Sequence, residues 1–201
     1  LMVSLERLSD NKRLSTSVSF SYLREDNGVL GTGGTGGLSF VDHTYSQGVT
    51  LGSSLRMTKN TRISASYTEA FSDADTSSNS LLALNSSNLS SSAFALGFQA
   101  KQILRADDTL SFSISQPLRI GGGSMSLTHD DYYDEDETLH SRTVDIDLRP
   151  NGRQMDYQLE YVFSPRLDKL RMGLFAYYSD EYLHQESLAD HGIGFRLNKT
   201  F

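Results

Sequence analysis

The stretch Gln154-Met155-Asp156-Tyr157-Gln158-Leu159-Glu160-Tyr161-Val162-Phe163 decides how this chain is read. Met155, Tyr157, Leu159, Tyr161 and Phe163 are apolar or aromatic, whereas Gln154, Asp156, Gln158 and Glu160 between them are polar. A period of two belongs to a strand with one apolar and one wet face, because successive Cβ atoms point to opposite sides of a sheet. The same pattern extends outward in both directions. Upstream, Val144, Ile146 and Leu148 alternate with Asp145, Asp147 and Arg149, and downstream Leu170, Met172 and Leu174 alternate with Lys169, Arg171 and Gly173. Nearer the start, Val49, Leu51, Leu55 and Met57 alternate with Thr50, Gly52, Ser54 and Arg56, and Ile63, Ala65 and Tyr67 follow the turn Lys59-Asn60. Further runs surround Val3, Val18–Tyr22, Phe94–Ala100, Leu110–Ile114, Met125–Leu127 and Ile193–Leu197, about eleven in all.

Composition limits the remaining choices. The chain has 201 residues, a formal charge of −7, 37% hydrophobic residues and a mean hydropathy of −0.39, which is the size of one domain over 1–201. It has no cysteine, so neither a disulfide framework nor a thiolate metal site can be built. Its acidic balance lacks the basic face that a nucleic-acid binder needs, so no nucleic-acid partner is expected. No apolar run reaches the ~20 residues of a spanning helix. A barrel strand, however, crosses with about 9–11 residues of which every second one is apolar.

A soluble β-sandwich also alternates, but its outer faces are commonly mixed, and this wet face is rich in Ser, Thr and Gly with charges of both signs. Arg56, Arg62, Lys101, Arg119, Asp145, Asp147, Asp156, Glu160 and Arg196 are read as charges lining a hydrated lumen. The fold class expected is all-β, an antiparallel up-and-down transmembrane β-barrel. Connections alternate in length, with short turns at 9–11, 59–60, 105–108 and 164–166 and longer ones at 25–42, 73–90 and 180–189, as outer-membrane barrels have. The Ser- and Asn-rich stretch from Asp73 to Ser92 reads as a solvated loop, and Asn151-Gly152 as a type I′ hairpin turn.

Enzymatic chemistry finds no support. The run Asp130, Asp131, Asp134, Glu135, Asp136, Glu137 lacks the spacing and the sharp-turn glycine of a calcium loop and reads as a solvated rim. The five histidines form no spaced ligand pair, and no Gly-x-Ser-x-Gly elbow occurs. The glycine cluster from Leu30 to Gly37 lacks the following helix and lysine of a phosphate loop, and reads as a flexible or lumen-entering loop. No catalytic residue, metal site or cofactor is therefore expected.

The end of the chain carries the sharpest local pattern. Asp190, Gly192, Phe195, Leu197 and the final Phe201 are similar to the terminal β-signal that the barrel-assembly machinery of Gram-negative outer membranes reads by strand pairing. Three longer segments, Tyr22–Gly36, Ser115–Ile120 (Ser-Gln-Pro-Leu-Arg-Ile) and Leu148–Asp156 (Leu-Arg-Pro-Asn-Gly-Arg-Gln-Met-Asp), resemble in order and spacing the barrel region of subtilisin-like (S8) serine-protease autotransporters. Where that family has Asp-Pro-Gly-His before its last strand, this chain has Ala189-Asp190-His191-Gly192. The resemblance implies a twelve-stranded translocator in the outer membrane of a Gram-negative bacterium, partnered by lipid, the assembly machinery and its own N-terminal protease passenger. The family's catalytic triad belongs to the passenger and matches no position here. Against twelve strands, eleven segments make the chain a carboxy-terminal fragment. The alternatives are a stand-alone outer-membrane pore or structural barrel and a soluble β-sandwich binding module.

Overall fold

A computed structural model of the chain describes residues 1–26, 28–29, 32–33, 42–75, 81–133, 136–165 and 170–199, with the side chains of 28, 29, 32, 33, 74, 75, 82 and 85–88 left aside. The alternating segments become β1 Met2–Leu8, β2 Leu14–Asp26, β5 His43–Arg56, β6 Thr61–Asp75, β7 Leu82–Lys101, β8 Thr109–Tyr133, β9 Leu139–Asp147, β10 Met155–Phe163, β11 Leu170–Asp180 and β12 Asp190–Lys199. These form one ten-stranded sheet in the order β1-β2-β5-β6-β7-β8-β10-β11-β12, with β9 beside β8. Every pairing is antiparallel. In the glycine-rich segment, β3 Gly28–Val29 and β4 Thr32–Gly33 make a separate two-stranded ladder. Leu30, Gly31 and Gly34–Gly37 lie outside the described residues, as do Asp134, Glu135, Arg166 and Phe201.

Three expectations differ from the structure. Leu110–Ile114 and Met125–Leu127 belong to one 25-residue strand, β8, whose continuity is hidden by Gly121-Gly122-Gly123, which offer no side chains to alternate. The Asp73–Ser92 loop is largely strand: β6 runs to Asp75, β7 begins at Leu82, and Ser90, Ser91 and Ser92 pair with Gly122, Ile120 and Arg119 across bulges. Ser90, Ser91 and Ser92 are ladder residues rather than a linker. Asn151-Gly152 makes no type I′ turn, since neither residue has the positive φ that such a turn requires, and the strands on either side of it are collinear.

Register turns the alternation of single strands into two continuous faces. Leu14, Leu55, Ile63, Phe98, Phe112, Leu159, Ala176 and Ile193 pair edge to edge across eight strands, from β2 to β12. The next residues along the strands face the other way and give the row Ser15, Ser54, Ser64, Gly97, Ser113, Gln158, Tyr177, Gly192. Aromatic pairs border the apolar face: Tyr22 stacks on Tyr45 and Tyr157 leans on Tyr178 at one end, while Tyr161 stacks on Phe163 at the other. On β2 the apolar positions run from Leu14 to Tyr22, a height of about 26 Å along the strand at ~3.3 Å per residue.

Almost nothing covers this apolar face. Among the described residues only Leu84 and Leu89 are buried hydrophobics, and Ile120, Met125 and Leu148 pack against them in one small cluster. Leu89 pairs with Ser72, whose hydroxyl meets that of Ser46, so the cluster sits on the polar face. The sheet has nine positions from β1 to β12, each antiparallel to the next, so its two edge strands run in the same direction.

Candidate functional site

The polar face carries charges in rows set by the ladder. Arg56, Arg62, Gln99, Ser111 and Glu160 lie side by side on five successive strands. Lys101 is two residues from Gln99 on the same face, and Asp156 pairs with Ser115 and accepts from Gln154 Nε2 at 2.8 Å. Arg196 stands 3.8 Å from Glu160 across Gly173, whose missing side chain leaves room for the approach. Between these groups runs a cleft of about 380 Å³ lined by Ser54, Arg62, Ser64, Gln99, Gln158 and Glu160. A smaller one of about 230 Å³ continues past Arg171, Arg196 and Asn198. Sequence reading passed over Arg171 because Lys169 and Gly173 flank it in a weakly patterned segment.

Two of the expected lumen charges lie elsewhere. Leu148 packs against the cluster on the polar face, so Val144 and Ile146, its neighbours by period two, share that side of β9, and Asp145 and Asp147 stand on the other. Polarity is thus inverted in the β8–β9 hairpin relative to the rest of the sheet. Asp147 holds Arg149 through paired hydrogen bonds of 2.9 and 2.6 Å.

The third group forms around an interruption. β9 and β10 face β8 in the same register, so they are one strand broken at residues 148–154, opposite 117–123 of β8. The Leu148 N–H still donates to the Gly123 carbonyl at 3.0 Å. Counting on in this register, Pro150 and Pro117 fall where the ladder would next use N–H groups that proline lacks. Two of the chain's three prolines therefore break the ladder. Arg119 crosses the break and donates to the carbonyls of Gly152 (2.9 Å) and Pro150 (3.0 Å).

Three N–H groups of the break, those of Gly152, Arg153 and Gln154, and the Leu118 carbonyl are met by a strap, residues 181–188, between β11 and β12. The Gly152 N–H donates to the His184 carbonyl at 2.8 Å, and the Gln154 N–H to His184 Nδ1 at 2.9 Å. The other ring nitrogen, Nε2, then donates to the Leu118 carbonyl at 3.2 Å. Gln154 Oε1 accepts from the Leu183 N–H at 2.8 Å, and the Glu181 carboxylate from the Arg153 N–H. The strap reaches this geometry through positive φ at Glu181, Leu183, His184 and Ser187. Gly152 is obligatory here: a Cβ on it would stand 2.9 Å from backbone atoms of His184, Gln185 and Glu186. The Ser115–Ile120 and Leu148–Asp156 segments singled out in the sequence thus meet at one place. His184, the residue that joins them, was not foreseen, because no spacing links it to either.

Of the expected assembly-signal positions, Asp190, Gly192, Phe195 and Leu197 lie on β12, an edge of the sheet. Asp190 accepts from Tyr177 at 3.3 Å, and the Tyr177 ring covers Gly192, where a Cβ would be 2.6 Å away. Phe195 and Leu197 point out from the apolar face, both exposed. Asp108, in the turn before β8, is buried and accepts from the N–H groups of Ile103, Leu104 and Arg105 at 2.7–2.9 Å and from the Tyr161 hydroxyl at 2.8 Å. Burial raises its pKa, but the donors outweigh it and hold the carboxyl at about 2.

Comparison with protein-family models, with curated proteins and with solved structures finds no match to this chain.

Proposed function

We propose that this chain is the wall of an outer-membrane β-barrel that anchors an N-terminal passenger, a subtilisin-like protease by the resemblance of its segments, and passes it across the membrane. The carrying observation is the continuous apolar row from Leu14 to Ile193, whose members from β2 to β10 are all between 38% and 46% exposed. Contiguous apolar surface of that extent has to be covered, and lipid covers a band bordered by aromatic rings. The roughly 26 Å along β2, tilted by ~40°, fits a band about 25 Å tall to within a strand residue or two. Ser, Thr and Gly with mixed charges on the opposite face suit a hydrated interior. Antiparallel closure through two edges of the same direction takes an odd number of further strands, which the fragment reading supplies.

In this reading no residue of the chain carries out a reaction. Closure satisfies every backbone edge in lipid, the polar face keeps water in the lumen, and β12 presents Asp190, Gly192, Phe195 and Leu197 to the assembly machinery. Membrane fractionation of the full-length gene product with a heat-modifiability gel tests it. Outer-membrane sedimentation with a heat-dependent shift is expected, and a soluble product without the shift refutes the barrel.

A further inference from the structure

We propose that the open edge of β9 is a β-augmentation site for an extended polypeptide segment of alternating apolar and basic residues, running antiparallel to β9 as β11 does beside β10. The ladder fixes which groups are available. Because the Leu148 N–H bonds to Gly123, period two assigns the N–H and C=O groups of Ile146, Val144 and Arg142 to β8. The Thr128 N–H turns away from β9 to bond to the Leu81 carbonyl, which agrees with that phase. Ser141, Thr143, Asp145 and Asp147 therefore direct their backbone donors and acceptors to the side where β9 has no strand partner among the described residues.

The vacancy is an extension of an existing pairing. β11 follows β10 up to Met155↔Asp180 and then leaves the sheet at Glu181 to become the strap. A guest strand above that point continues the line of β11 and meets β9 in the register β10 already has. Side chains specify its chemistry. Val144 and Ile146 face the side shared with the Leu84–Leu89 cluster and call for apolar neighbours, while Asp145 on the other face calls for lysine or arginine, its neighbour Asp147 being already paired with Arg149. The site rests on register and edge alone and needs no passenger.

The test uses the detergent-solubilised chain and a dye-labelled synthetic peptide of alternating lysine and valine. Saturable binding by fluorescence anisotropy is expected, with new exchange protection at the amides of Ser141, Thr143, Asp145 and Asp147. N-methylation of alternate peptide amides should weaken binding at least about tenfold, as two or more cross-strand hydrogen bonds are lost. Thr143→Pro removes one outward donor and should weaken it similarly, with circular dichroism checking that the sheet persists. Asp145→Lys leaves the backbone edge intact and should reject the lysine peptide while accepting its glutamate counterpart. No saturable binding, equal binding of the N-methylated peptide, or protection confined to other amides overturns the proposal.

Discussion

Replacing Leu159 by arginine puts a guanidinium at the centre of the apolar positions of β10, which run from Met155 to Phe163. Leu159 lies between Phe112 and Ala176 in the long apolar row and is 46% exposed. That outward part is on the order of 80 Å², and under the proposed barrel, where lipid covers it, it is worth about 2 kcal/mol at ~25 cal/mol per Å². An arginine on the lipid face near the midplane adds a penalty of about 2–4 kcal/mol. The total, about 4–6 kcal/mol, rivals the whole stability of many domains. Gln158→Arg changes the neighbouring residue, but its side chain enters the polar cleft beside Glu160, and the expected cost is within about 0.5 kcal/mol. Heat-modifiability of the two variants in outer-membrane fractions reads the difference: Gln158→Arg keeps the folded band and Leu159→Arg loses it. Equal behaviour of the two would falsify the assignment of faces.

Three further outcomes follow from the strap and the turns. Gly152→Ala pushes a methyl into the strap backbone and should cost about 1–3 kcal/mol; limited proteolysis should then cut within 181–188, and continued resistance there would show that the contact is not tight. Arg119→Lys removes the planar fork that serves the Pro150 and Gly152 carbonyls together and leaves one without a donor, lowering stability by about 1–3 kcal/mol in a urea titration. Asp108 has a folded pKa of about 2 against 3.8 for an ordinary aspartate, so its stabilising effect is complete above that ordinary value and is lost as pH falls toward 2. Amide exchange at Ile103, Leu104 and Arg105 should accelerate over that interval in the parent and show no such transition in Asp108→Asn.

Period two was enough to find most of the strands, because wherever one face is apolar the register must keep that face together. It failed where side chains carry no contrast. Gly121–Gly123 interrupt the alternation of β8 without ending the strand, and Ser90–Ser92 look like a linker although they lie in the ladder. The turn at Asn151-Gly152 was misread because the dipeptide signal is local, whereas the two prolines that break the ladder, Pro117 on β8 and Pro150 in the interruption beside it, lie 33 residues apart. The strap was invisible for a related reason. Its left-handed residues are Glu, Leu, His and Ser rather than glycine, and they are held there by tertiary hydrogen bonds to segments far away in sequence. Asp145 and Asp147 were placed by polarity alone, and the inversion above the break moved them to the other face.

The strapped break also divides the sheet mechanically. A force that peels β9 sideways off β8 opens paired residues one after another, from Tyr133↔Leu139 downward, and each rupture bears the load alone. At Ser124↔Asp147 that sequence ends, and the load passes to Arg119, Gly152, Gln154 and His184, whose bonds span β8, β10 and the strap and must rupture together. The hairpin is therefore a compliant spring on a stiff mount, and tension applied to it is taken up at the break before it reaches the rest of the sheet.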